Sequence, residues 1–349
     1  MRCLTLLLLL FGLYARAASG HPLGEAPGRL IALGERDIHL LCSGDGGPVV
    51  IVDVGLGATS LEWDGVRQRV ARQQQVCVFE RAGYGWSSMG PWPRTAARNV
   101  EDLREVQRLA GLKPPYVLVG HSYGGFDMQL FARLYPHLVA ALVLVDASHP
   151  EQAERFEAPP YNTRIAPSTS WGIVQLGAQP TPHPSLSPAA QALSQFQREN
   201  WRPRRTISGE LLGFRDTEAE LRAAPPLAPL PLIVLSRGKR MWAEGRQGDL
   251  LEQLWREMQQ ELAAQSPLSA HLVARDGGHQ VHLEQPDAVT YAIALATDAA
   301  GLPQSSRRDA RSNAAAWADA VSGRVEVLAD NQGLVPPLKV AGAGPTTQP

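Results

Sequence analysis

The chain has 349 residues, 44% of them hydrophobic and 19% charged, with a formal net charge of -1. This is an ordinary globular balance, enough for one large α/β domain with appendages or two small domains, and it can bury a sizeable core. A near-neutral chain with no basic run interleaved with aromatics, and no helix with a long basic face, offers no field for nucleic acid and no membrane-docking surface.

Residues 1–20 read as a secretory signal peptide. Arg2 precedes an apolar run from Leu4 to Ala15, and Ala15-Arg16-Ala17 has the small-x-small pattern of a cleavage site. The run is shorter than the roughly 20 apolar residues that a bilayer span needs, so an uncleaved anchor is the weaker reading. The expected protein is secreted or periplasmic, with no stable membrane span after cleavage. Of the three cysteines, Cys3 leaves with the signal. Cys42 and Cys77 remain, and export permits a disulfide between them. No short C-x-x-C spacing points to a metal.

From Arg29 onward, short apolar runs alternate with amphipathic stretches. RLIAL and DIHLLCSG read as two strands joined at Gly34-Glu35-Arg36, and PVVIVDVG as a buried strand. SLEWDGVRQRVARQ has helical spacing through Leu61, Val66 and Val70. QVCVFE is a strand that runs into the Gly-rich turn RAGYGWSS. NVEDLREVQRLAGL carries Val100, Leu103, Val106 and Leu109 at helical spacing and stops near Gly111. YVLVG, FDMQLFARLY and ALVLVD then read as strand, helix and strand. This rhythm predicts a mainly parallel sheet of the α/β class with helices on both faces and an antiparallel edge at the first two strands.

The rhythm breaks after Pro150. Residues 151–229 are Pro-rich, lack a strong strand, and are too long for a structureless loop in a compact domain, so they read as a helical cap inserted between core segments 21–150 and 230–301. Trp171, Phe196, Trp201 and Phe214 in this region either line a pocket or, more in keeping with aromatics generally, pack the cap. PLIVLS, DLLEQLWREMQQELAAQ, AHLVARD and DAVTYAIALATDAA resume the alternation. Residues 302–349 are polar with little apolar periodicity apart from RVEVLA, and a disordered or loosely attached tail is expected.

Gly120-His121-Ser122-Tyr123-Gly124 is a G-x-S-x-G motif between a predicted strand and a predicted helix. A serine on such a sharp turn projects its hydroxyl above the sheet, near a helix N-terminus that favours negative charge. Ser122 is therefore the candidate nucleophile, and His121 a structural residue of the turn. A serine hydroxyl needs an adjacent base. His279 follows the last predicted strand on a Gly-Gly turn, where open α/β sheets place their sites. His282 is its rival, while His271 and His137 read as surface histidines.

The base needs an orienting carboxylate. Asp146 ends the strand ALVLVD, whereas the loop after PLIVLS offers nothing before Glu244 and Asp249; Asp146 is preferred, with turn capping as its plain alternative. The backbone N–H groups of Tyr123 and Leu56 are the candidate oxyanion donors by position.

The runs DVGLG, ERAGYGWS, YVLVGHSYGG, ALVLVDASHP and GGHQVHLEQP together resemble the α/β-hydrolase fold family in its small, single-cap branch of esterases, haloperoxidase-like perhydrolases, haloalkane dehalogenases and epoxide hydrolases. The resemblance covers about Arg29 to Gly301 and implies an eight-stranded sheet, a Ser122–His279 pair, oxyanion donors at Leu56 and Tyr123, and no metal or organic cofactor. Two features depart from it. Val54-Gly55 stands where many members have His-Gly, and the acid that many members carry after the penultimate strand is missing, although some dehalogenases carry theirs at the position matching Asp146. Dehalogenases and epoxide hydrolases of this type use an aspartate nucleophile, so Ser122 argues against both activities.

Because the family's third and fourth strands exchange places in space, the resemblance also implies that Cys42 and Cys77 lie on neighbouring strands, where either a disulfide or two buried thiols would fit. The implied function is hydrolysis of a small-molecule carboxylic ester through an acyl-enzyme. Perhydrolase, amidase or thioesterase chemistry with the same residues is an alternative, as is a non-catalytic binding protein on this fold.

Overall fold

The structure is a computed structural model and describes residues 24–158, 182–301 and 318–336. Its centre is one sheet with the order β1-β2-β4-β3-β5-β6-β7-β8-β9. In chain order the strands are β1 (Arg29–Leu33), β2 (Arg36–Ser43), β3 (Val50–Asp53), β4 (Val76–Phe79), β5 (Tyr116–His121), β6 (Val139–Val145), β7 (Leu232–Arg237), β8 (Ser269–Ala274) and β9 (Val325–Asp330). The strands from β4 to β8 pair in parallel, and the β1–β2 hairpin is antiparallel, as the absence of a helix between them requires.

Among the described residues the sheet has nine strands rather than the expected eight. The extra one is the RVEVLA segment, which pairs antiparallel with β8 and so ties residues 325–330 to the core instead of leaving them in a loose tail. Its outward residues are largely exposed, which is why its periodicity is faint in sequence. Residues 302–317 and 337–349, the proposed signal peptide and Trp171 lie outside the described residues.

The helices are α1 (Asp64–Val70), α2 (Ala96–Ala110), α3 (Gly124–Leu134), α4 (Gln152–Glu157), α5 (Pro188–Glu199), α6 (Trp201–Leu212), α7 (Phe214–Ala223), α8 (Arg246–Ala263), α9 (Val281–Glu284) and α10 (Pro286–Ala299). The central strands are buried on both faces, so their side chains divide by parity. Ile51, Leu118, Leu142 and Leu144 join the apolar cluster under α2 and α3. Val50, Val52, Val117, Val119, Val143 and Val145 join the one that includes α1 and α10. Each fully buried Val or Leu side chain contributes about 1.5–3 kcal/mol, and this two-sided burial makes the strands read as unbroken apolar runs.

Helices α4 to α7 fall between β6 and β7, in the region read as a cap. Helix α7 packs on α2 and α3, and α5 packs on the short 3-10 helix Ser60–Trp63. Thr217 and Glu220 of α7 accept from the Ala96 and Ala97 N–H groups and so cap the start of α2. Phe214 is buried against Tyr123 and Phe126, in keeping with a packing role, whereas Trp201 is 65% exposed. A disulfide joins Cys42 and Cys77, which face each other across the β2–β4 pair. Among the described residues, no helix is long and apolar enough to cross a membrane.

Candidate active site

The turn between β5 and α3 holds Ser122 at φ 51°, in the left-handed region that disfavours side chains. The turn is pinned from both ends. The Ser122 N–H donates to the Val145 carbonyl at 3.2 Å, and its carbonyl accepts from Gly125 and Ser148 at 2.9 and 3.0 Å. Strand and helix approach so closely that a Cβ at Gly120 would lie 2.6 Å from the Gly124 carbonyl oxygen, and one at Gly124 would lie 2.4 Å from that of Asp53. Only glycine fits at either position.

Three side chains from three loops meet here. His279, on the loop after β8, places Nε2 3.0 Å from Ser122 Oγ and Nδ1 2.7 Å from Asp146 Oδ2. Asp146 directly follows β6 and is the second non-glycine residue with positive φ among the described residues, at 40°. It is fully buried. Burial alone would push its carboxyl up, but the Arg237 guanidinium, His279 and the Trp255 indole together hold it well below the usual carboxylate range. An ionised carboxylate only accepts, so His279 Nδ1 carries the proton and Nε2 offers its lone pair to the Ser122 hydroxyl.

These are the three residues that the motif and the strand ends single out, and the groups that hold the carboxylate of Asp146 carry no comparable signal in the chain. Asp146 Oδ1 accepts from Trp255 Nε1 at 2.7 Å and from the Arg237 backbone N–H at 3.2 Å. Arg237 Nη1 lies 3.3 Å from Oδ2, and Nη2 donates to Glu252 at 3.1 Å. Its guanidinium sits 5.0 Å from the ring centres of both Trp242 and Trp255. The end of β7 thus brings a cation to Asp146, and the loop after it brings no carboxylate to His279. Glu244 is exposed, and Asp249 pairs with Arg240 at 2.7 Å.

His121 belongs to the frame, as the turn position implied. Its Nε2–H donates to the His279 carbonyl at 2.8 Å and so holds the loop that carries the base. Burial, with help from His279, pushes its imidazole down to about 3, so it is neutral. His282 is buried, stacked on Trp63 at 4.6 Å with 4° between the planes, and its ring is 4.6 Å from that of His121. His137 is exposed, as expected. His271 is not the expected surface residue: it is buried in β8, with Nε2 2.5 Å from Ser236 Oγ, because β9 and β7 flank its strand.

A cavity of about 120 Å³ opens at Ser122 and His279. Leu56, Ile207 and Met241 supply apolar wall, and Glu62 and Arg198 supply charge. Burial pushes the Glu62 carboxyl up to about 7. Leu56 borders this cavity, and Tyr123 directly follows Ser122 in the chain. Among the described residues, His149, Glu151 and Glu261 are the one cluster with metal-ligand spacing, and Arg155 pairs with both of its carboxylates at 2.7–2.8 Å.

A sequence profile described as "Alpha/beta hydrolase family" matches residues 20–292. The chain is 24% identical over 250 residues to the uncharacterized protein YqjL of Bacillus subtilis, a match covering 72% of this chain and 83% of that one. It is 31% identical over 127 residues to the probable transporter efuK of Hormonema carpetanum, covering 34% of this chain but only 18% of that protein's length. Among solved structures, a thermophilic esterase from Thermogutta terrifontis superposes with a TM-score of 0.54 at 23% identity, covering 76% of this chain and 95% of the esterase. At that identity the likeness establishes a shared fold.

Proposed function

We propose that this chain, which belongs to the alpha/beta hydrolase family, is an exported hydrolase that cleaves small carboxylic esters through an acyl-enzyme on Ser122. The observation that carries this reading is the unbroken relay from Ser122 Oγ through the His279 ring to Asp146, at 3.0 and 2.7 Å. His279 Nε2 takes the hydroxyl proton as Ser122 attacks the ester carbonyl carbon, forming a tetrahedral oxyanion. The Leu56 and Tyr123 N–H groups meet that oxygen. The imidazolium returns the proton to the departing alcohol, and a water molecule, deprotonated in turn by His279, releases the acid. Asp146 remains ionised throughout and stabilises the imidazolium.

The cavity of about 120 Å³ favours short acyl groups, since pockets for larger organic ligands run to roughly 300–1,000 Å³. Export is supported by the charged-then-apolar N-terminus and by a disulfide, which persists in an oxidising compartment. A series of p-nitrophenyl esters of increasing acyl length, assayed with the wild type and Ser122→Ala, tests the reading. Turnover should be highest for acetate or butyrate and vanish in the variant. Turnover that survives in Ser122→Ala, or no turnover of any ester, counts against it.

A further inference from the structure

Outside the relay, Arg81, in the turn after β4, is a heavily bonded buried side chain. Its side chain is fully buried among Asp53, Asp127 and Glu210. Nη1 donates to Asp53 Oδ1 at 2.6 Å and to the Val54 carbonyl at 2.5 Å, and Nη2 donates to the Gly55 carbonyl at 3.3 Å. Nε and Nη2 also grip both carboxylate oxygens of Glu210 on α6, at 2.8 and 3.1 Å. Tyr84 adds a hydrogen bond to Glu210 at 2.6 Å. The guanidinium lies 5.0 Å from the centre of the Tyr123 ring. One cation therefore touches the loop that carries Leu56 and the residue that follows Ser122.

The peptide plane makes this consequential. In a trans peptide, C=O and N–H point in opposite directions. With its carbonyl held by Arg81, the Gly55–Leu56 peptide turns the Leu56 N–H away from the guanidinium. Leu56 borders the cavity at Ser122, and Arg81 does not. The loop lies directly over the nucleophile, since a Cβ on Gly55 would sit 3.3 Å from Ser122 Cβ. From these contacts we infer that Arg81 is a positioning residue for the oxyanion hole, and that its bidentate grip on Glu210 makes the hole's geometry depend on the docking of α6. Arg suits this role where Lys does not, because its planar fork serves two carbonyls and two carboxylates at once.

The inference rests on the hydrolase reading and is tested separately from it. Wild type, Arg81→Lys and Glu210→Gln are assayed with p-nitrophenyl acetate and titrated with phenylboronic acid, which forms a tetrahedral anion on a serine hydroxyl. A displaced donor should lower kcat roughly 100-fold in Arg81→Lys and about 10-fold in Glu210→Gln, while KM stays within about threefold and boronate affinity falls in step with kcat. Thermal unfolding identifies the folded variants, and if Arg81→Lys does not fold, Glu210→Gln decides alone. Altered melting with unchanged kcat and boronate affinity, or a rise in KM alone, overturns the inference and leaves the hydrolase reading intact. Wild-type turnover that does not depend on Ser122 overturns both.

Discussion

Arg237, the last residue of β7, reaches the carboxylate of Asp146, the first residue after the neighbouring strand β6, with its backbone N–H at 3.2 Å from Oδ1 and its guanidinium at 3.3 Å from Oδ2. The contact explains how a fully buried acid stays ionised beside a histidine. Burial works against the charge, and a cation held between two indoles works for it.

Asp146→Asn should lower kcat about 10³- to 10⁴-fold, because a neutral amide neither stabilises the imidazolium nor holds His279 in the right tautomer. Glu244→Gln and Asp249→Asn should leave kcat unchanged. Steady-state kinetics on the three variants decide the matter, and a crippled Glu244 or Asp249 variant would move the acid to the later loop.

Trp255→Phe keeps an aromatic side chain but removes the 2.7 Å hydrogen bond to Asp146, along with part of the buried indole's volume. Losing a hydrogen bond to an ionised group costs about 1.5–3 kcal/mol. Urea unfolding at constant m-value should report that loss. A change below about 0.5 kcal/mol would place the hold on Asp146 with Arg237 and His279.

The Cys42–Cys77 bond closes a loop with a sequence separation of 35. By chain entropy it should stabilise the fold by about 4 kcal/mol, and the double variant Cys42→Ser/Cys77→Ser should lose most of that. Peptide mapping of the purified protein without reduction should recover the two cysteines as one linked species. Alkylation of both as free thiols would contradict the bond.

His271 makes a pH test that is independent of the active site. Burial pushes its imidazole from 6.5 down to about 4. The unfolded chain therefore binds more protons than the native one in that window, and stability falls as the pH drops through it. The slope is about 1.4 kcal/mol per pH unit, for a total of roughly 3 kcal/mol. His271→Leu paired with Ser236→Ala leaves no orphaned partner, and its stability relative to wild type should rise by that amount between pH 7 and pH 4. An unchanged difference would mean that His271 titrates normally.

How much of this could be read from the chain follows from the range of the interactions. Ser122 was legible because its turn is local: two glycines, a strand before and a helix after. Asp146 was legible because it directly follows a strand that the apolar pattern marks, and His279 because it lies on the short Gly-Gly loop after another. Arg237, Trp255, Arg81 and Glu210 were not, since Trp255 lies 109 positions from Asp146 and Glu210 lies 129 from Arg81. Periodicity marks their elements but not which charges meet. The ninth strand escaped for another reason. An edge strand with one solvated face carries only a few buried side chains, here Val325 alone, and a polar approach hides them.

The central claim, that Ser122 is a nucleophile activated by His279, is tested most directly by labelling with a fluorophosphonate probe followed by peptide mass spectrometry. The account predicts a single adduct on the peptide carrying Ser122, formed rapidly in wild type, greatly slowed in His279→Ala and absent in Ser122→Ala. No adduct on correctly folded wild type, or an adduct on another residue that persists in Ser122→Ala, would contradict it.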